Sequence, residues 1–453
     1  MMKDLFSTEE KIISATAPGR MDVMGGIADY SGSLLLQMPI KQTTSVSIQK
    51  RNDGVFNFRT QLTKKKTDDF TINISELGDR SLEGAGKIIK SKQGGDWAVY
   101  VLGCFLVLQK ENNIDLTGAN VLIKSNVPWG KGVSSSAALE VASMNALNQL
   151  YKLSLEREEL AVLAQMAENL VAGAPCGLMD QLSSHLGQKN KLLPLICQPH
   201  QVDKAISIPR GINLSGIDSG IRHAVSGASY SEVRAATFMS YTMIALNEGA
   251  TVEELDHART SGDWSKLPFK GFLANIPVPV FEEKYISLLP GEISGKDFLS
   301  QYKVSIDTVT NIDDTKIYKP AVCGSHPVYE NARVNEFKTL LKNFKKQDNK
   351  QASLIQMGKL MMQSHESYSA VGLGNEYTDQ IVEMIRDAGP ARGVFGARVS
   401  GGGNGGTVCI LSYGKEGKNT VKEIYRKYKQ IKKQKLFLFS GSSHGAYSLN
   451  QYI

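Results

Sequence analysis

The chain has 453 residues but few cysteines, and no pattern pairs them. Its five cysteines are scattered without a C-x-x-C pair, so neither a zinc knuckle nor a dithiol redox centre is predicted. No run of eighteen apolar residues occurs, and the sequence therefore predicts no membrane span. The first residues hold acids where a signal peptide needs an apolar core, which leads us to expect a cytoplasmic protein.

Two common nucleotide-binding signatures are also missing. The Walker pattern G-x-x-x-x-G-K-[ST] occurs nowhere, which excludes the P-loop class. Residues 401–406 fit G-x-G-x-x-G, but the β-branched stretch Thr407–Leu411 that follows is predicted to be a strand, whereas a dinucleotide fold needs a helix there. A glycine turn between two strands can still bring backbone close to a ligand.

The net charge of +7 is concentrated in two lysine-rich runs, Lys64–Lys66 and Lys422–Lys435. Nucleic-acid binding is one reading of such runs, and a solvated helix face is the other. Only Tyr425 and Tyr428 are interleaved with the second run, so we favour the solvated face. The sequence therefore predicts no nucleic-acid and no membrane partner.

What is present is a glycine-rich segment at Val127–Glu140, reading V-P-W-G-K-G-V-S-S-S-A-A-L-E. Gly130 and Gly132 lead into three serines, and a helical pattern follows at Ala137–Tyr151. Free backbone N–H groups, a helix N-terminus and small hydroxyls together form a device for holding phosphate. The segment therefore predicts a nucleotide as ligand.

Two further segments carry charged side chains in unusual settings. Pro18–Gly32 places Arg20, Asp22 and Asp29 in what the pattern predicts to be a glycine-rich turn between strands, and a binding loop is favoured over solvated charges. Glu168 and Asp180 could be a surface acid and a helix N-terminal acid. Beside a phosphate loop, however, two carboxylates can hold magnesium and take a proton from a hydroxyl.

Helix-like and strand-like segments alternate along the chain, as in a mixed α/β protein. The pattern predicts a helix capped by Ser154, with later helices near Glu330–Phe344 and Leu354–Ser364. The stretch from Pro268 to Lys303 is broken by proline and glycine and has no clear assignment. A domain boundary is predicted near residues 205–215.

In chain order, the glycine-rich segments Pro18–Gly32, Val127–Glu140 and 401–406 resemble motifs 1, 2 and 3 of the GHMP kinases. Within that family they resemble the galactokinase-like sugar-1-kinases. Gly19–Ser31 aligns with G-R-x-N-x-I-G-E-H-T-D-Y-N, and Cys176–Gln181 matches C-G-x-M-D-Q. The resemblance implies an α+β, two-domain fold with the active site between the domains. A ribosomal-protein-S5-like N-terminal domain would span 1–212, and a C-terminal α/β sandwich would span 213–453.

The resemblance also implies roles at matching positions. Asp180 would be the catalytic base and Arg20 its partner, and Ser136 and Glu168 would hold Mg²⁺. The residues implied to bind ATP are Pro128, Gly130, Gly132, Ser134, Ser135, Ser136, Gly402 and Gly403. Those implied to bind the sugar are Asp22, Gly26, Asp29, Gly177 and Tyr230. The implied partners are ATP and a small sugar, and the implied assembly is a monomer or a weak homodimer.

One departure from the family pattern bears on the substrate. Galactokinases have Glu-His where this chain has Gly26-Ile27, and that glutamate holds the 6-hydroxyl of the sugar. L-Arabinose has the ring stereochemistry of galactose but no carbon 6, and the stretch from Met21 to Ile40 resembles the arabinose-phosphorylating branch. We therefore expect ATP-dependent phosphorylation of the anomeric hydroxyl of L-arabinose. Galactokinase or fucokinase activity is the alternative, and a non-catalytic sugar and ATP sensor is the alternative from another class.

Overall fold

The computed structural model describes residues 5–61, 67–78, 81–174, 176–222 and 228–450. The lysine run Lys64–Lys66 lies outside the described residues. The chain forms two compact units, and neither is continuous in sequence. Unit 1 comprises Met1–Met21, Gln37–Leu193 and Ser440–Ile453, and unit 2 comprises Asp22–Leu36 and Pro194–Phe439. The predicted domains 1–212 and 213–453 stay a prediction; the two units are interleaved because residues 22–36 pack with the second and the last residues with the first.

Strands and helices are mixed along the described residues. The strands are β1 (Ile13–Met24), β2 (Leu34–Lys50), β3 (Val55–Gln61), β4 (Thr67–Asn73), β5 (Ala119–Ser125), β6 (Lys191–Cys197), β7 (His200–Val202), β8 (Ile206–Ser207), β9 (Ile212–Asp218), β10 (Ile293–Ser294), β11 (Ile317–Tyr318), β12 (Val394–Val399), β13 (Thr407–Tyr413) and β14 (Leu438–Ser440). The α-helices are α1 (Leu82–Ser91), α2 (Gly95–Asn112), α3 (Ser135–Tyr151), α4 (Arg157–Met166), α5 (Met179–Leu186), α6 (Ala228–Asn247), α7 (Val252–Ser261), α8 (Val278–Val280), α9 (Gly295–Tyr302), α10 (Pro320–Asn343), α11 (Lys350–Ala370), α12 (Glu376–Ala388), α13 (Gly414–Lys432) and α14 (Ala446–Leu449).

Unit 1 is built on a mixed sheet covered by helices. Four strands run in the order β4-β3-β5-β2, and β1 also pairs with β2. β3 and β5 are parallel, with Phe58 opposite Val121, whereas β2 and β5 are antiparallel, with Val46 opposite Ile123. These four side chains enter a core shared with α2, whose apolar residues are buried along most of its length. This core gives the glycine-rich segment between β5 and α3 a rigid support.

The end of the chain belongs to unit 1. The Asn450 side chain accepts a hydrogen bond from Thr16 N at 2.9 Å and donates one to Thr16 O at 3.1 Å. Ala446 of α14 is fully buried in the same core as the sheet. The last described residues are therefore part of the structure that surrounds β1.

Unit 2 has a four-stranded sheet in the order β12-β13-β9-β14, in which β13 is antiparallel to both β12 and β9. β13 pairs with β9 from Thr407 opposite Asp218 to Tyr413 opposite Ile212. Its inner face packs against α12 and α13 through an apolar cluster that includes Ile217, Ile385 and Val421. The strand that follows the glycine cluster is thus confirmed, and so is the absence of a helix there.

The lysine-rich run Lys422–Lys435 lies on α13 and just after it. Val421, Ile424 and Tyr428 are buried, whereas the lysines between them are exposed or half-buried. That spacing is typical of an amphipathic helix with a solvated polar face. Among the described residues, no helix is long and apolar enough to cross a membrane.

Several predicted elements have different bounds in the structure. β1 continues through Pro18 and Gly19 to Met24, so Arg20 and Asp22 are strand residues and not members of a turn. The helix predicted after Ser154 is capped by Glu156, whose side chain forms a capping box with Glu159. Ser154 lies two residues too early to cap it and has a left-handed φ of 57°.

The helix predicted at Glu330–Phe344 begins ten residues earlier, at Pro320, and passes through Pro327. Proline removes the N–H that would bond the carbonyl four residues before it, and that carbonyl belongs to Cys323. The hydroxyl of Thr237 donates to the Cys323 carbonyl instead, at 3.2 Å. The proline is therefore tolerated because a neighbouring helix supplies the missing donor.

Candidate active site

The glycine-rich segment of unit 1 folds into a turn that ends at the N-terminus of α3. Gly130, Gly132 and Ser134 have left-handed φ values of 68°, 67° and 56°, a conformation that glycine adopts without strain. α3 then begins at Ser135, so the first N–H groups of a helix of 17 residues lie directly after the turn. Together with the helix dipole, these groups form an anion site.

The hydroxyl of Ser134 supports this interpretation. Ser134 is 7% exposed, and its Oγ has no hydrogen-bond partner among the described residues. A buried hydroxyl without a partner costs free energy, unless a ligand completes its hydrogen bonds. Pro128 and Ser135 are half-buried on either side of the turn, where the predicted phosphate contacts would be made.

Arg20 connects this turn with Asp180. Its Nε and Nη2 both lie 2.8 Å from Asp180 Oδ1, and its Nη1 donates to the carbonyl of Gly132 at 2.7 Å. Asp180 is in the first turn of α5, and its side chain is 22% exposed, whereas that of Arg20 is 5% exposed. The guanidinium of Arg20 therefore holds the partly exposed carboxylate of Asp180 beside the phosphate turn. Asp180 Oδ2 takes no part in this ion pair.

Glu168 lies in a single π-helical turn, Ala167–Val171, that extends α4. It is 6% exposed, and the nearby Ser136 side chain favours the charged form of its carboxylate. The side-chain amide of Gln181 donates to Glu168 Oε2 at 2.7 Å, and the thiol of Cys176 donates to the same oxygen at 3.3 Å. Burial raises the pKa of Glu168 and the nearby Asp180 carboxylate raises it further, whereas Ser136 lowers it.

Sequence reasoning missed a second buried carboxyl beside Glu168. Glu140 is fully buried on α3, and Gln181 donates to its Oε2 at 3.0 Å. Burial raises the pKa of Glu140 well above its usual range, and the proximity of Glu168 adds to this. The signal that could have found it is its position four residues after Ser136, which puts both side chains on one face of a helix.

The loop around Cys176 is fixed by amide side chains. Asn169 Oδ1 accepts from Cys176 N at 2.9 Å, and Gln165 donates to the Cys176 carbonyl at 2.9 Å. Gly177 follows in this half-buried loop, just before α5. Burial raises the pKa of the Cys176 thiol well above its usual range, which disfavours the reactive thiolate form.

Unit 2 contains the other half of the first motif. Asp22 is fully buried, and its Oδ2 accepts from Arg398 Nη1 at 2.7 Å and from Gly401 N at 3.3 Å. Its Oδ1 accepts from Gly26 N at 3.3 Å. The family resemblance implied that Asp22 binds the sugar, and this stays a prediction. In the structure, the two oxygens of Asp22 hold the backbone of two loops together.

Asp29 and Tyr230 lie near one another in unit 2. Asp29 is 4% exposed in the 3-10 helix Gly26–Ser31, and its Oδ1 accepts from Tyr30 N at 2.8 Å. The rings of Tyr30 and Tyr230 meet edge to face at 6.2 Å, and Arg234 lies over the Tyr30 ring at 5.1 Å. The structure thus gathers two of the predicted sugar-binding residues around Tyr30.

The third motif forms the loop between β12 and β13. Gly402 is half-buried, and Gly403 is buried with a φ of 82°, where an added Cβ would lie 2.8 Å from the carbonyl of Leu373. Asn404 N donates to that carbonyl at 2.9 Å. The loop is therefore fixed to the end of α11, and only glycine fits its closest approach.

Each unit brings together its own share of the predicted residues. Unit 1 joins Arg20, Asp180 and the phosphate turn by hydrogen bonds, and it places Ser136 near Glu168. Unit 2 joins Asp22, Gly26 and the glycine loop through the hydrogen bonds of Asp22.

Ser136 and Glu168 are suited to supply the protein ligands of a magnesium ion whose other ligands are substrate phosphates and water. Among the described residues, no group of three or more His, Cys, Asp or Glu side chains could hold a metal. Mg²⁺ usually keeps several waters and takes one or two protein ligands in addition to substrate phosphates. A hydroxyl near a buried carboxylate, beside a helix N-terminus, matches this ligand set.

Known proteins match this chain over both of its halves. The GHMP kinases N terminal domain matches residues 99–188, and the GHMP kinases C terminal domain matches residues 340–433. An L-arabinokinase of Arabidopsis thaliana is 36% identical over 494 residues, which cover 98% of this chain and 47% of that protein. A galactokinase of Chloroflexus aggregans is 29% identical over 88% of this chain and 83% of its own length. The chain thus spans about half the length of the arabinokinase.

The fold is also that of a solved kinase. The crystal structure of Lactococcus lactis galactokinase complexed with galactose has a TM-score of 0.71 at 20% identity, and the match covers 98% of this chain and 96% of that one. The predicted two-domain fold is therefore confirmed. With matches to both family domains and 36% identity to an L-arabinokinase over 98% of its length, the chain belongs to the GHMP kinases, as predicted.

Proposed function

We propose that this chain transfers the terminal phosphoryl group of ATP to the anomeric hydroxyl of L-arabinose. The observation that carries the proposal is the contact of Arg20 with both Asp180 and the carbonyl of Gly132. It ties a carboxylate that can accept a proton to the turn that can bind phosphate. The similarity to an L-arabinokinase over nearly the whole chain supports arabinose as the acceptor.

The chemistry needs positioning and charge neutralisation more than covalent catalysis. Asp180 accepts the proton of the sugar hydroxyl, and Arg20 holds the carboxylate in place and faces the charge that develops on the transferred group. The N–H groups at the start of α3 and the Ser134 hydroxyl bind the phosphates. Mg²⁺, held by Ser136 and Glu168, would neutralise phosphate charge when bound.

Release of ADP with a panel of sugars tests the proposal. Arabinose, galactose, fucose and glucuronate are compared by kcat/KM, and arabinose is expected to give the highest value. A higher kcat/KM for galactose or fucose would mean that this sugar, and not arabinose, is the substrate. No ADP release with any sugar, despite binding of both ligands, would favour the sensor.

Asp180→Asn tests the base directly. ATP binding is expected to be nearly unchanged, whereas kcat falls about 10²–10⁴-fold, the range for loss of a general base. Asp387→Asn, at an exposed aspartate on α12, is the matched control and should keep full activity. Unchanged turnover in Asp180→Asn would remove Asp180 from this role.

A further inference from the structure

Gly26 has no room for a side chain, because the tip of Tyr368 occupies that space. An ideal Cβ on Gly26 would lie 1.5 Å from Tyr368 Oη, 2.8 Å from its Cζ and 2.9 Å from Arg398 Nη2. Tyr368 is fully buried, and Gly26 has a left-handed φ of 44°. All three residues belong to unit 2. A side chain at position 26 and the hydroxyl at position 368 therefore compete for one volume.

The Tyr368 hydroxyl is fixed by two hydrogen bonds. It accepts from Ile27 N at 2.8 Å and donates to the carbonyl of Gly401 at 2.9 Å. Its single proton is thereby committed to the backbone, and burial raises the pKa of this phenol, so that it stays neutral. The hydroxyl ties the first motif to the third and has no proton left for a ligand.

Arg398 lies on the other side of the same volume. Its Nη1 donates to Asp22 at 2.7 Å, and its Nε donates to Ser364 Oγ at 3.0 Å. Its Nη2 is buried and has no hydrogen-bond partner among the described residues. A buried donor without a partner is unfavourable, so an acceptor introduced at position 26 would find this N–H group.

We propose that Tyr368 is a specificity-determining residue, and that it acts by excluding any side chain from position 26. This inference rests on the proposed function, in which position 26 borders the acceptor sugar. With Tyr368 in place, the groups next to the sugar at this position are the apolar Ile27 and the Tyr368 hydroxyl, whose proton is donated to Gly401. A sugar with an additional hydroxymethyl group would lose a hydrogen bond to water there and gain none from the protein, which disfavours six-carbon sugars.

The position of the Tyr368 hydroxyl limits what a single substitution at Gly26 can achieve. Gly26→Glu alone places its Cβ against the Tyr368 hydroxyl, so we expect lower kcat/KM with both arabinose and galactose and an unchanged ratio between them. Gly26→Glu combined with Tyr368→Leu frees the volume and pairs the new carboxylate with Arg398. We expect this double variant to shift the galactose-to-arabinose ratio of kcat/KM at least tenfold towards galactose, relative to the wild type.

Melting temperatures provide a second measurement that does not depend on turnover. Gly26→Ala is expected to lower the melting temperature less in a Tyr368→Leu background than in the wild type, because the clash has been removed. Gly291→Ala and Tyr285→Leu are matched controls in unit 2. A Cβ at Gly291 meets nothing within 4 Å, and Tyr285 is buried but is not among the nearest neighbours of a Cβ at Gly26. Their effects should be additive.

Three outcomes are distinguishable. A ratio shifted by Gly26→Glu alone, without loss of activity, would overturn the role of Tyr368. If Gly26→Ala lowered the melting temperature equally in the wild-type and Tyr368→Leu backgrounds, Tyr368 would not be what excludes a side chain from position 26. A wild-type protein that phosphorylates none of the sugars would overturn the proposed function, and this result is independent of the thermal measurement.

Discussion

At the scale of single residues, the candidate site depends on side chains that each hold two partners. Arg20 joins Asp180 to Gly132, and Gln181 donates to both Glu140 and Glu168. A planar guanidinium can make such divergent contacts, whereas an ammonium is a single point charge. Substitutions that keep the charge but change its shape should therefore be costly here.

Arg20→Lys is expected to lower kcat at least about 10-fold, because lysine cannot bind Asp180 and the Gly132 carbonyl in the same geometry. Steady-state kinetics with arabinose measure the effect. Arg59→Lys is the matched control, because Arg59 pairs with Asp69 through two nitrogens on an exposed surface of the same unit. Exposed pairs contribute little, so this variant should keep its activity and stability. Equal kcat for Arg20→Lys and the wild type would contradict the assigned role.

Residue types at motif positions could be read from the sequence, but their partners could not. Arg20, Asp180, Ser136 and Glu168 stand out because charged or hydroxyl side chains adjoin glycine turns. Tyr368 and Arg398 carry no such local signal, since their importance comes from a packing contact with residues more than 340 positions earlier. Only the folded chain brings them to Gly26.

At the scale of elements, periodicity located the helices α3, α10 and α11, although α10 begins ten residues before its predicted start. Pro18 and Gly19, in contrast, were misleading. Pro18 and Gly19 suggested a turn, yet both belong to β1. An added Cβ on Gly19 would lie 2.5 Å from the carbonyl of Val133, and Arg20 N donates to that carbonyl at 3.0 Å. This glycine permits a close approach between backbones, which local propensity cannot distinguish from a turn.

A similar contact joins α11 to β12. An added Cβ on Gly358 would lie 2.0 Å from the carbonyl of Phe395, and one on Gly396 would lie 2.5 Å from the Cα of Gly358. Gly358→Ala is therefore expected to destabilise unit 2 by at least about 3 kcal/mol, at or above the usual range for overpacking. Urea denaturation measures this, with Gly291→Ala as the control that should change little. A loss below about 1 kcal/mol would show that the helix can move away.

At the scale of the whole molecule, each unit buries a histidine that stays uncharged. Unit 2 also buries His365, whose pKa is lowered by burial while Asp379 opposes the shift. Burial lowers the pKa of His185 in unit 1 to about 3, and that of His326 in unit 2 to about 3. Both imidazoles stay neutral in the folded protein, whereas they take up protons near pH 6.5 when the chain unfolds. The unfolded state thus binds more protons below pH 6.5, and stability is lost as the pH falls.

We expect the free energy of unfolding to fall between pH 6.5 and pH 5 by up to about 1.4 kcal/mol per pH unit for each histidine. Denaturation curves at several pH values measure the slope. His185→Gln should reduce the slope by the share of one group, whereas a substitution at the exposed His257 should leave it unchanged. An identical slope in His185→Gln would show that this histidine does not contribute.

The return of the last residues to β1 affects how the protein is made. Unit 1 needs Ser440–Ile453, which a ribosome synthesises only after all of Pro194–Phe439. At about 5–20 residues per second, roughly 10–50 seconds pass between the two parts. During that interval unit 2 can acquire its own core, whereas the sheet around β1 still lacks the Asn450 side chain that bonds Thr16 and the buried Ala446.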